Sequence, residues 1–173
     1  MVENKKSTQH IVYLSLGSNV GEREKNIINA LRLLKLKGIE LTRLSSLYET
    51  EPVGMEDQPL FYNMVMQGTS PYGPEKLLKV IKEIELEIGR VWTQKWGPRA
   101  IDIDILFFND QIINRDELII PHPELHKRDF VLIPMAEIEP EFVHPILKKT
   151  IEEILNLPHQ RKKVVWVKFL GAI

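Results

Sequence analysis

Two aspartates one residue apart, Asp102 and Asp104, sit in the run Ile101-Asp102-Ile103-Asp104-Ile105-Leu106-Phe107-Phe108. The apolar, β-branched and aromatic residues around them mark a strand, and strand side chains alternate faces, so the two carboxylates share one face about 7 Å apart at Cβ. Leu106 and Phe108 are expected on that same face, with Ile101, Ile103, Ile105 and Phe107 on the other. An isolated acid pair of this kind is more often the solvated side of a half-exposed strand. Here both faces carry apolar residues, and two like charges beside apolar surface raise each other's pKa unless cations compensate them. Carboxylate oxygens on a rigid strand suit Mg²⁺, which keeps waters and bridges one or two carboxylates to substrate phosphates. Two such ions, about 3.5–4 Å apart, match the divergence of the pair.

The segment before the strand supplies complementary charge: Arg90 to Arg99 contains Arg90, Lys95 and Arg99 and no acid. Arginine holds phosphate oxygens bidentately, and phosphoryl transfer depends on positioning and charge neutralisation, so the pattern points to a polyphosphate. A second polar cluster, His122, His126, Lys127, Arg128 and Asp129, follows Pro121. Trp92 and Trp96 lie in the first basic segment, where large indoles are costly to expose unless a ligand or a closure covers them. Neither G-x-x-x-x-G-K-[ST] nor G-x-G-x-x-G occurs, so a P-loop or Rossmann origin is disfavoured, and Gly17-Ser18-Asn19-Val20-Gly21 reads as a turn between strand and helix.

These residues need a scaffold. Ile11–Leu16 reads as a strand, and Ile27, Leu31 and Leu34 mark an amphipathic helix between Glu22 and Lys37 that Gly38 stops. Ile39–Thr50 and Phe61–Thr69 read as two strands joined by the loop Glu51–Leu60, which is long and polar enough to be functional. Pro74 opens a second helix with the stripe Leu77, Ile81, Ile84 and Ile88, which Gly89 ends, and Ala100–Phe108 is the last core strand before an Asn109-Asp110 turn. The order is β-α-β-β-α-β, that of an α+β, ferredoxin-like antiparallel sheet with helices packed on it. Beyond Ile112 the sequence predicts X-Pro turns near Pro121, Pro134 and Pro140, a helix at Leu147–Leu155 and a late apolar run at Val164–Leu170.

The 173 residues are expected to form one domain: a core of about 11–157, a polar tail at 1–10 and a C-terminal extension at 158–173. Cysteine is absent, which excludes disulfides, thiolate metal sites and cysteine nucleophiles. With 23 basic and 24 acidic side chains the net charge is −1, against a generic nucleic-acid or acidic-membrane binder. No apolar run reaches the length of a spanning helix and Met1–His10 is polar, so a cytoplasmic protein is expected. Two other classes share parts of this pattern. Nucleotidyltransferases pair a Gly-Ser turn with two aspartates, although there the acids follow within about a dozen residues, whereas 83 residues separate Ser18 from Asp102. RNA-recognition domains share the element order, but their aromatic central-strand motif is missing.

Taken together, Gly17-Ser18-Asn19, Asp57-Gln58-Pro59 with Phe61-Tyr62-Asn63, Gly89-Arg90, Trp96-Gly97-Pro98-Arg99 with Asp102-Ile103-Asp104, and Pro121-His122 with Arg128-Asp129-Phe130 resemble the 6-hydroxymethyl-7,8-dihydropterin pyrophosphokinases of folate biosynthesis from about Ile11 to Leu157. The resemblance implies a ferredoxin-like core and transfer of pyrophosphate from ATP to the hydroxymethyl group of the pterin, releasing AMP, with two Mg²⁺ ions. It implies Asp102 and Asp104 as metal ligands, with Arg90 and Arg99 beside them as catalytic residues, and Arg90, Arg99, His122 and Arg128 on ATP. For the pterin it implies stacking between Phe61 and Phe130, Asn63 and Asp102 on the ring, backbone contacts from Thr50 and Val53, closure by Trp96, and support of the mobile loop by Glu85. The expected partners are the two small-molecule substrates, without nucleic acid or membrane, and the expected state is a monomer.

Overall fold

A computed structural model describes residues 8–54, 56–89, 98–171 and 173 of the chain. In chain order its elements are β1 His10–Ser18, α1 Arg23–Leu36, β2 Glu40–Leu44, β3 Leu47–Thr50, β4 Phe61–Ser70, α2 Pro74–Ile88, β5 Asp102–Phe108, β6 Ile113–Arg115, β7 Leu118–Ile120, a 3₁₀ turn Leu125–Lys127, α3 Asp129–Ile138, α4 Ile151–Leu155 and β8 Val164–Lys168. The main sheet runs β5-β1-β4-β3-β8 with β2 also on β4, and every pairing is antiparallel. This is the ferredoxin-like α+β arrangement the element order predicts. The short hairpin β6-β7 forms a second sheet.

The apolar stripes explain the layers. Ile27, Leu31 and Leu34 of α1 and Leu77, Ile81 and Ile84 of α2 pack on Leu14, Leu16, Met64, Met66, Ile103 and Ile105 on one side of the sheet. On the other side, Tyr13, Val65, Leu106 and Phe107 meet Val131, Leu132 and Met135 of α3 and Ile151 and Ile154 of α4. Full burial of each such side chain stabilises the fold by about 1.5–3 kcal/mol. The second helix starts with Pro74 in its first turn, where no N–H is needed, and ends at Gly89, whose φ of 101° lets its N–H bond back to the last turn.

Four expectations are corrected by tertiary contacts. The strict alternation along β5 fails after Ile105: Leu14 pairs with Ile105 and Tyr13 with Phe107, so Leu106 is an extra, bulged residue. Phe107 therefore joins Leu106 on the α3 side, and Phe108 joins the isoleucines. The single strand Ile39–Thr50 is two, broken at the buried Ser45-Ser46. There Val65 N–H donates to Ser45 Oγ at 2.9 Å, and Ser46 N–H turns away to the Glu137 carboxylate at 3.0 Å. Pro134 does not make a turn but lies inside α3, which buries Val131, Leu132 and Met135 around it. The helix read at Leu147–Leu155 begins only at Ile151, because Thr150 and Glu153 form a reciprocal capping box at its start. The unplaced run Val164–Leu170 contains β8, which extends the sheet beyond β3. Among the described residues no helix is long and apolar enough to cross a membrane.

Candidate active site

Antiparallel pairing lines up one row across four strands: Tyr48 of β3, Asn63 of β4, Gly17 of β1 and Asp102 of β5. The next row is Val65, Ser15 and Asp104. Directly opposed residues project to the same face, so Asn63, Gly17, Asp102 and Asp104 share the side of the sheet on which α3 packs. Phe61 and Thr50 face each other two positions beyond Asn63 and Tyr48 and belong to that side as well. Gly17 sits in the middle because a Cβ there would stand 2.5 Å from Asn63 Oδ1 and 3.6 Å from Phe61 Cδ1. The missing side chain lets Asn63 lie across β1 while its Nδ2 donates to Thr50 Oγ1 at 2.6 Å, both residues being buried.

The acid pair is held from three directions. β5 is an edge strand, and the outward N–H of Ile103, between the two aspartates, donates to the buried carboxylate of Glu85 on α2 at 2.8 Å. Arg99 pairs with Asp102 at 2.5 Å. Asn19 ties Arg99 down: its Oδ1 accepts from Arg99 N–H at 2.8 Å, and its own N–H donates to Arg99 O at 3.1 Å. The same amide donates through Nδ2 to Gln58 Oε1 and Pro59 O, so one buried residue joins the β1 turn, the β3–β4 loop and the approach to β5.

On the other flank, His122 N–H donates to Leu106 O at 3.0 Å and sets the imidazole beside the strand, with Nε2 3.9 Å from Asp104 Oδ2. His122 Nδ1 accepts from Glu124 N–H at 3.2 Å, which leaves the proton on Nε2, facing Asp104. Burial, then the positive charge of Arg128, hold His122 down to about 4, so the ring is a neutral Nε2–H donor at neutral pH. Burial, then the neighbouring Asp102 charge, push Asp104 up to about 7, against the pull of Arg128 and Arg99. Among the described residues, the positive charge that Arg128 and Arg99 put beside Asp104 is outweighed by burial and by the neighbouring acids.

Among the described residues no three His, Asp or Glu side chains converge into a ready cage for a metal ion. Two carboxylates on one rigid strand are nevertheless a donor set that fits Mg²⁺, which takes oxygen ligands and completes its shell with water and phosphate oxygens. Arg99, Asp102, Asp104, His122 and Arg128 lie at one end of the sheet, next to Asn63, Thr50 and Phe61. Val53 lies half-exposed in the loop after β3, and Phe130 sits in the first turn of α3 with the Arg128 guanidinium 5.7 Å from its ring centroid. Arg90 and Trp96, and with them Trp92 and Lys95, fall outside the described residues.

Sequence reasoning missed three positioning groups. Glu137 accepts from Ser46 N–H, Ser46 Oγ and Tyr48 OH, fixing α3 to β3, and burial, then that carboxylate, raises the Tyr48 pKa. Its only signal was a lone acid in the apolar stretch Phe130–Ile138. The spacer role of Gly17 and the knot at Asn19 had no local signal, since their partners lie 39 to 80 residues away for Asn19 alone.

The fold is the α+β one of the ATP-dependent pyrophosphokinases, a class of transferase to which the family and its named relatives belong. A family profile described as 7,8-dihydro-6-hydroxymethylpterin-pyrophosphokinase (HPPK) matches residues 13–140, and the chain belongs to this family. The chain is 45% identical over 142 residues to the 2-amino-4-hydroxy-6-hydroxymethyldihydropteridine pyrophosphokinase of Aquifex aeolicus, covering 82% of this chain and 88% of that protein. It is 43% identical over 157 residues to the folic acid synthesis protein FOL1 of Dictyostelium discoideum, covering 90% of this chain but spanning only 24% of that longer protein. The fold is shared with the Plasmodium falciparum HPPK-DHPS structure with pteroate, at a TM-score of 0.71 and 21% identity over 86% of this chain and 42% of that one.

Proposed function

We propose that this chain transfers the terminal pyrophosphoryl group of ATP to the hydroxymethyl oxygen of 6-hydroxymethyl-7,8-dihydropterin. The hydroxyl oxygen forms a bond to the β-phosphorus of ATP, the bond from that phosphorus to the α,β-bridging oxygen breaks, AMP leaves with that oxygen, and the hydroxyl proton goes to solvent. The observation that carries the reading is the adjacency of two functions on one sheet face: the Asp102–Asp104 pair with Arg99, His122 and Arg128 beside the Asn63–Thr50 pair and Phe61. Asp102 and Asp104 would hold Mg²⁺, in two ions, which would neutralise phosphate charge.

The protein's own groups supply the rest. Arg99 and Arg128 bind phosphate oxygens, and neutral His122 donates its Nε2–H to one. Arg90 joins them as a catalytic and ATP-binding residue. Asn63, held by Thr50, offers a donor and an acceptor to the amide-like edge of the pterin, and Phe61 and Phe130 stack on its faces. Asp102 also reaches the ring, Thr50 and Val53 contribute backbone groups, and Trp96 closes the site. The chain works as a single-domain monomer in the cytoplasm. Incubation with Mg-ATP and 6-hydroxymethyl-7,8-dihydropterin, followed by separation of nucleotides, is expected to give pterin-dependent AMP that stops when Mg²⁺ is chelated. ADP in place of AMP would make the protein a single-phosphoryl kinase and overturn the reading.

A further inference from the structure

The C-terminal extension has a use that its sequence, a basic run followed by an apolar one, does not announce. Asp129, the first residue of α3, is 3% exposed, and both oxygens of its carboxylate are held from the extension. His159 Nε2 lies 2.6 Å from Oδ1, Arg161 Nη1 donates to Oδ1 at 3.3 Å, and the Lys162 N–H donates to Oδ2 at 3.2 Å. His159 Nδ1 is anchored on Leu157 O at 2.8 Å, and Arg161 Nη2 on Leu155 O at 2.7 Å, so the clamp is held rigidly against α4.

The next residues reach the opposite side. Lys162 Nζ donates to Pro52 O at 3.3 Å and lies 3.9 Å from Glu56, and β8 then pairs Val164 with Thr50 and Val165 with Glu49. One short stretch of chain therefore touches two segments that lie far apart in sequence. One is the end of β3 at Thr50 with Pro52 and Glu56 beyond it; the other is the Arg128-Asp129-Phe130 corner. A buried carboxylate is costly without compensating donors, and among the described residues its three donors come from residues 159–162.

We propose that His159–Lys162 is a positioning strap that sets the spacing between the two walls of the pterin pocket, one carrying Thr50 and Val53 and the other carrying Phe130. The inference rests on the reading of those residues as pterin contacts. Asp129 lies between Arg128 and Phe130, so loss of its donors frees the head of α3 to shift and spoils stacking; Arg128 shares that shift, and phosphate binding then rests on Arg99 and the β5 carboxylates, which keep their own supports at Asn19 after β1 and on α2. His159, Arg161 and Lys162 touch neither substrate and act through Asp129 and Pro52.

The test compares His159→Leu with His159→Gln, whose amide can still donate to Asp129. Equilibrium titrations use 6-hydroxymethyl-7,8-dihydropterin in the presence of Mg²⁺ and the α,β-methylene analogue of ATP, and the analogue alone, well below each unfolding midpoint. Loss of one hydrogen bond of this kind predicts that the pterin Kd of His159→Leu rises about five- to tenfold, with the analogue Kd within about threefold of wild type, and that His159→Gln restores pterin binding. Lys162→Met, which keeps the stem but not the link to Pro52, gives the same direction and serves if His159→Leu does not fold. Pterin binding unchanged in both variants overturns the strap, as does an equal loss of both ligands that the glutamine fails to rescue. Wild-type protein that binds the analogue but not the pterin overturns the functional reading first, and the strap with it.

Discussion

Gly17→Ala tests the reasoning about the site at one atom. The added Cβ would stand 2.5 Å from Asn63 Oδ1, and ordinary contact begins near 3.4 Å, so the Asn63 side chain must retreat by about 0.9 Å. Thr50 stands on β3, on the far side of β4 from Gly17, so that retreat drives Nδ2 against Thr50 Oγ1, already 2.6 Å away, and the side chain must turn out of this hydrogen bond. Both partners are buried, so the loss includes desolvated groups left unpaired, and we expect destabilisation of about 2 kcal/mol, within a range of about 1–3. For a chain of this size that lowers the midpoint of thermal unfolding by about 4–8 °C. The same displacement moves the side chain proposed to offer paired donor and acceptor atoms to the pterin, and on that reading kcat/KM for the pterin falls about 10–100-fold. Thermal melts and steady-state kinetics with varied pterin check both numbers. Gly73→Ala is the control, because nothing lies within 4 Å of a Cβ there. A Gly17→Ala protein with the melting point and kcat/KM of wild type would refute the row geometry on which the site is built.

Asp102→Asn and Asp104→Asn each remove a carboxylate from β5 while keeping its shape; turnover should drop by about 10³-fold or more with the circular dichroism spectrum unchanged, and normal turnover in either variant sinks the metal assignment. His144 gives a pH dependence outside the site: burial, then the charge of His126, hold it down to about 4 from 6.5, and its Nδ1 accepts from Ile146 and Leu147 N–H. Its folded pKa lies below the unfolded one, so its contribution is fully present above pH 6.5 and is lost as pH falls towards 4, at about 1.4 kcal/mol per pH unit. Urea unfolding of wild type and His144→Gln at pH 7 and 4.5 should show the stability gap shifting by about 1–3 kcal/mol in favour of the variant at the lower pH; a constant gap refutes the assignment.

Local patterns were legible and distant ones were not. The shared face of Asp102 and Asp104 follows from strand alternation over three residues, and α2 follows from its stripe and from Gly89, so both were readable without knowing any partner. The bulge at Leu106 was not, because it is set by how β1 pairs with β5 between Tyr13 and Leu14. The break at Ser45-Ser46 depends on Glu137, 91 residues later. Pro134 reads as a turn because proline breaks isolated helices; here the apolar residues around it are buried against the sheet and hold the helix together. The site residues Asn63 and Thr50 could be named from the family resemblance, but their hydrogen bond to each other and the glycine that makes room for it exist only in the folded sheet.

The position of β8 bears on the order in which the molecule becomes whole. Its partners are Leu47–Thr50, so every pairing closes a loop of more than 100 residues, and Val165, Trp166 and Phe169 around it stay largely exposed. During synthesis β3 has long left the ribosome before β8 emerges, and the sheet spends that interval with β3 as its raw edge. In the finished protein the same strand combines a long closure with little burial, which makes it the first part of the sheet to exchange its amide hydrogens with solvent.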